Sequence, residues 1–162
     1  MLPEAWAKLN DAFWQARSTV SSMQQYPDID KMTPAHQVEF IEGCVLQNWE
    51  KDELKGTNKK TEYYRTHSRW YNLTEAQNKS RDAHVFILKN GIFFNEEIRK
   101  AFQEIDDLVW DAIVEHKLNV EDDMRPAPRE NIGALAQKGD QLLRNVEAKV
   151  RERLWPKDNL GL

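Results

Sequence analysis

Residues 89–117 read KNGIFFNEEIRKAFQEIDDLVWDAIVEHK, and their spacing decides the fold class. Asn90-Gly91 predicts a helix stop, and Asn95 is placed to cap the helix that follows. Apolar residues then recur at Ile98, Phe102, Ile105, Val109 and Ala112, in alternating steps of four and three. Ala101, Leu108 and Ile113 widen the stripe to the breadth of a helix that faces a core. Glu96 and Glu97 suit the positive end of the helix dipole, and His116 and Lys117 suit the negative end.

Working outward, the same period recurs on both sides. Residues 3–26 carry Trp6, Leu9, Phe13, Ala16, Val20 and Met23 on one heptad-like line, with Trp14 off it. Tyr26-Pro27 breaks that helix, because the residue before a proline is pushed out of the α region. Thr33-Pro34 reads as a cap and first helical residue of a short helix to about residue 44, and a second short helix is expected over 48–55. Phe40, Ile41, Val45, Leu46 and Trp49 predict that this pair folds as a lid over one end of a bundle. After the turn at Gly56-Thr57, a long helix is predicted to residue 90. Tyr63, Trp70, Leu73, Gln77, Ser80, His84 and Ile87 lie on its line, flanked by Ala76 and Ala83. Ser80, His84 and Gln77 need hydrogen-bond partners if that line is buried.

Residues 119–128, with Glu121-Asp122-Asp123 and two prolines, read as an acidic extended linker. The last helix, 129–155, carries Ile132, Leu135, Gly139, Leu142, Val146 and Val150. Gly133 and Gly139 disfavour a helix there, so close packing or fraying is expected. The chain therefore reads as an all-α, antiparallel bundle of about four long helices with a short helical insert. Its expected parts are a helical core over 1–118, the linker over 119–128, and a C-terminal helix over 129–162 that packs on the core or on a partner.

Composition narrows the function classes. The 162 residues are 40% hydrophobic and 31% charged, with a mean hydropathy of -0.78. A net charge of -4 argues against a dedicated nucleic-acid binder. Cys44 is the only cysteine, so no internal disulfide forms and a reducing compartment is the expectation. The opening Leu2-Pro3-Glu4 lacks a basic start and an apolar run. No apolar stretch approaches the ~20 residues that span a bilayer. A cytoplasmic chain without membrane contact of its own is expected.

Few residues are spaced for chemistry. The residues three before the histidines are Thr33, Tyr64, Arg81 and Ile113, so the Glu-x-x-His pairs of di-metal bundles do not occur. No paired cysteines, calcium loop or phosphate-binding glycine loop is found, so no metal or cofactor is expected. Helical ribonucleases of the HEPN type carry an Arg, several residues, then a His on one helix. Arg65-Thr66-His67 and Arg81-Asp82-Ala83-His84 have other spacings. Cys44, among Phe40, Val45 and Leu46, reads as a small core residue, and His84 as a hydrogen-bonded seam histidine.

Two charged stretches stand out. Residues 55–71 interleave Lys59, Lys60, Arg65, Arg69 and His67 with tyrosines and Trp70, the residue types that clamp phosphates and stack on bases. Lys59, Lys60, Arg65, His67, Arg69 and Trp70 are the candidate binding residues. The plainer reading is a bundle helix with core tyrosines and a solvated basic face. Residues 95–123 hold ten carboxylates against three bases. Pairing across the bundle with the basic helix is expected, and a docking face for a basic partner is the alternative.

Three segments are familiar together: Leu2-Pro3-Glu4-Ala5-Trp6, Tyr26-Pro27-Asp28, and Leu88-Lys89-Asn90-Gly91-Ile92-Phe93. Over about residues 2–117 the chain resembles a group of all-helical bacterial proteins without an established activity. In that group the region follows a long charged coiled coil, sometimes with a membrane anchor ahead of it. The resemblance implies either a stand-alone version or an excised domain. The expected function is a non-enzymatic helical protein–protein interaction or assembly domain, with self-association through the seams of the first and last helices included. The alternative is an RNA- or phosphate-binding bundle of ribonuclease-like, defence or toxin type.

Overall fold

Helices account for nearly all the regular structure in residues 1–122, 124 and 128–156, the part the computed structural model describes, and no strand occurs among them. They are α1 (Leu2–Val20), α2 (Pro34–Gly43), α3 (Asn48–Gly56), α4 (Lys60–Asn90), α5 (Glu96–Glu121) and α6 (Glu130–Leu154), with 3₁₀ turns at Ile29–Lys31 and Gly91–Phe93. The caps are those the residue types call for. Thr33 accepts the His36 backbone N–H at 3.4 Å, and the Asn95 side chain accepts that of Ile98 at 2.8 Å. The helix stop at Asn90-Gly91 tightens into a 3₁₀ turn before α5 begins.

The chain divides into two compact units. One contains Met1–Val20 and the chain from Glu75 onward, and the other is Ser21–Thr74. In the first, the closest backbone approaches join α5 to α6, then α1 to each of them. Leu9, Phe13 and Ala16 of α1, Phe102, Ile105 and Val109 of α5, and Leu135, Val146 and Val150 of α6 are buried in its core. α5 and α6 run antiparallel. Near the end of α5, the buried Glu115 carboxylate accepts the backbone N–H groups of Asn131 (3.2 Å) and Ile132 (2.7 Å). It thus caps the start of α6 from a neighbouring helix. Near the start of α5, Glu97 is paired with Lys149 of α6. Arg129, just before α6, donates to the Val20 carbonyl at 3.0 Å and ties the end of α1 to the same corner.

Several boundaries and faces differ from expectation, each for a local reason. α1 stops at Val20, not at residue 26. Thr19-Val20-Ser21-Ser22 combines β-branched residues with serines that bond the backbone outside a helix, as Ser21 does with the Met23 N–H at 3.2 Å. Met23 is therefore exposed and off the stripe. α5 runs on to Glu121, where Lys117 and Glu121 pair at 3.7 Å. Residues 119–121 of the expected linker are thus helical, and most of its remainder lies outside the described residues. On α4, Leu73, Ala76, Ser80, Ala83 and Ile87 are buried, whereas Trp70 and His84 are exposed. A strict seven-residue line drifts by about 20° per heptad on a straight helix, which carries Tyr63 and Trp70 off the face that Ile87 occupies.

In the unit Ser21–Thr74, Ile41, Leu46 and Leu54 form a small core covered by Phe40, Cys44, Tyr63, Tyr64 and Tyr71. Val45 and Trp49, expected to face inward, are exposed. Asp30 caps α4, accepting the backbone N–H groups of Lys60 at 3.0 Å and Thr61 at 3.2 Å.

The seams of α1 and α6, read from sequence as surfaces for self-association, are used within the chain. Gly139 lies against Phe13, and a Cβ built there would stand 2.8 Å from the Phe13 ring. Gly133, one and a half turns earlier, has nothing within 4 Å of such a Cβ. The two glycines should therefore respond with opposite signs. Gly139→Ala is expected to lower unfolding stability by about 1–2 kcal/mol through overpacking, and Gly133→Ala to raise it by up to about 1 kcal/mol through helix propensity. Urea denaturation of both variants checks this.

Candidate functional site

Asp106 occupies the inward phase of α5, between Ile105 and Val109, and its side chain is only 7% exposed. Opposite it, His84 projects from α4 and its Nδ1 is hydrogen-bonded to Asp106 Oδ2. Nε2 has no partner among the described residues. One turn before His84, Ser80 is 1% exposed and its hydroxyl has no hydrogen-bond partner among the described residues. An unpaired buried hydroxyl costs free energy, so it marks a position worth explaining.

Two clefts flank the His84–Asp106 pair. One, of about 380 Å³, is lined by His84, Leu88, Ile92, Phe94, Gln103 and Asp107 among others. The second, of about 360 Å³, is lined by Ser80, Arg81, His84, Asp106, Asp107 and Trp110. The two clefts share His84, Asp106 and Asp107. Exposed apolar residues lie on the same two helices. Trp110, Val114 and Leu118 recur every four residues on α5 and are 41%, 39% and 51% exposed, while Leu88 on α4 is 65% exposed. Beside them Glu104, Asp107 and Asp111 are exposed, with no ion pair among the described residues. The other acids of α5 are engaged: Glu96 with Arg99 and Lys100, Glu97 with Lys149, Glu115 with the start of α6, and Glu121 with Lys117. Those partners lie on α5 and α6.

A histidine held by a carboxylate is half of an acid–base pair. The other half would be an exposed nucleophile bonded to the imidazole. Ser80, the nearest hydroxyl in sequence, is buried and makes no bond to His84. Among the described residues no three His, Cys, Asp or Glu side chains converge to hold a metal. Among the described residues no helix is long and apolar enough to cross a membrane.

Four of the six residues singled out on the basic stretch make contacts within the unit Ser21–Thr74. Lys59 pairs with Glu62 at 3.7 Å, and the Lys60 ammonium donates to the Thr57 carbonyl at 2.6 Å. Arg65 lies over the Tyr26 ring at 5.7 Å, and His67 is stacked on Tyr63 at 3.9 Å. Arg69 is half-buried, and Trp70 is exposed. Tyr63, Tyr64 and Tyr71, partly buried, pack against the small core of Ile41, Leu46 and Leu54. Burial, and then the Glu53 carboxylate beside it, push the Tyr63 hydroxyl up, so it remains a proton donor.

Sequence reading marked Ser80 and His84 but counted Asp106 as one acid of ten. The usable signal was its phase, since a carboxylate in the apolar stripe of a helix needs a partner. Trp110, Asp107 and Arg81 carried no signal, because their importance depends on which helix lies beside α5. Comparison of the chain with family models, with curated proteins and with solved structures returns no match.

Burial holds the Asp106 carboxyl above its usual range, against the opposing pull of His84. A carboxyl with a raised folded pKa stays protonated longer in the folded state than in the unfolded chain. Its contribution to stability therefore falls as pH rises from 3.8 through the raised value. Asp106→Asn removes that dependence. In urea titrations, the variant is expected to gain stability relative to the unaltered protein as pH rises across this window, and to level off above it. An unchanged difference across the window would refute the assignment.

Proposed function

We propose that this chain is a non-enzymatic helical interaction module, an antiparallel bundle of α1, α4, α5 and α6 that docks a basic amphipathic helix of a partner protein along the α4–α5 groove. One observation carries the reading: exposed apolar residues, Leu88 on α4, Ile92 in the 3₁₀ turn after it, and Trp110, Val114 and Leu118 on α5, accompany the acids Glu104, Asp107 and Asp111, which have no ion pair among the described residues. Aromatic and aliphatic anchors at helical spacing suit a helix laid in a groove. Acids along one edge favour Lys or Arg on the incoming helix and disfavour an acidic one. From Gln103 to Leu118 the row runs about 22 Å, the length of roughly four helical turns. The RNA- or phosphate-binding alternative draws less support, because Lys60, His67 and the tyrosines of the basic stretch are engaged within their own unit.

The test uses the full chain and a synthetic amphipathic helix of about 18 residues, with leucines on one face and Lys and Arg flanking them. Saturable binding that weakens with salt is expected. Leu88→Asp and Leu118→Asp should each reduce affinity by about tenfold or more. A peptide with the same leucines and Glu in place of the cations should bind far less. Equal binding of the two peptides, or no binding of the basic one, would refute the reading.

A further inference from the structure

The second cleft of the groove holds a feature that helix docking alone does not use, the unpaired hydroxyl of Ser80 at 1% exposure. We propose that this cleft is a cation pocket that receives one arginine side chain of the docked partner, an inference that rests on the docking reading above. Four groups line it in a complementary way: Ser80, Asp106, Asp107 and Trp110. A guanidinium presents five N–H donors and a flat face. Its donors satisfy the orphan Ser80 oxygen and the unpaired Asp107 carboxylate, and its face stacks on the exposed Trp110 indole. Asp106 is occupied by His84 and serves as the back wall, so the recognition charge is that of Asp107. A volume of about 360 Å³ is ample for one long side chain.

Arg81 also lines the cleft and opposes a cation. It supplies the discriminating test, because an anion seated on Arg81 is the competing reading and the two make opposite predictions. The probe is n-butylguanidinium, titrated into the full chain and followed by NMR at the Trp110 indole and the Ser80 amide, with n-butyl phosphate as the opposing probe. Saturable shifts at both positions are expected with the guanidinium. Asp107→Asn should weaken its binding by at least about fivefold, as for loss of a charged hydrogen bond, and Arg81→Gln should strengthen it. Absence of saturable shifts, retention of binding in Asp107→Asn, or preference for the phosphate probe with loss in Arg81→Gln would each overturn the pocket. The docking reading is tested separately. Leu88→Asp and Leu118→Asp lie outside this cleft, so leucine-helix binding that survives without guanidinium binding refutes the pocket alone, and guanidinium binding without helix binding refutes the docking alone.

Discussion

Phe13 packs on α6 at position 139, where a Cβ would stand 2.8 Å from its ring, so the absence of a side chain there permits the close contact of α1 with α6. A methyl group there would crowd the Phe13 ring and the Leu135 side chain, one of which would have to shift. α5 lies against both α6 and α1, most closely against α6, and its broad apolar stripe is the width needed to face two neighbours. Two polar contacts then hold the register. Glu115 caps α6 from α5, and Arg129 closes the end of α1. Each supplies a helix terminus with a partner that its own sequence lacks.

The fourth long helix meets this core differently. Its inward line is Ala76, Ser80, Ala83 and Ile87, mostly small side chains. Small residues bury little apolar area, so the contact leaves clefts on either side, and a His–carboxylate pair bridges the middle. A buried carboxyl held above its usual range and an unpaired hydroxyl are both unfavourable for the fold.

The basic stretch illustrates the opposite outcome. Arginines and lysines interleaved with tyrosines resemble a stacking platform in one dimension. In three dimensions the tyrosines cover Ile41, Leu46 and Leu54, and one of them stacks on His67. A small core with few aliphatic residues needs large side chains to close it, so the aromatics had a structural use before any ligand was considered.

Helix identity, most boundaries and the caps were legible in the sequence, because they depend on neighbours three or four positions away: Asn95 before α5, Thr33-Pro34 before α2, and the stop at Asn90-Gly91. The stripe of α5 was legible for the same reason. The early end of α1 was partly hidden, since one of its ties comes from Arg129, more than a hundred residues on. The two glycines of α6 looked alike in sequence, and only the nearness of Phe13 separates them. The groove was likewise invisible, because Asp106, Asp107 and Trp110 acquire meaning only when His84, Ser80 and Arg81 are brought beside them. Local spacing along one chain determined what each helix is. Which helices share a face was decided by packing, where side-chain volume and buried charge act between residues far apart in sequence.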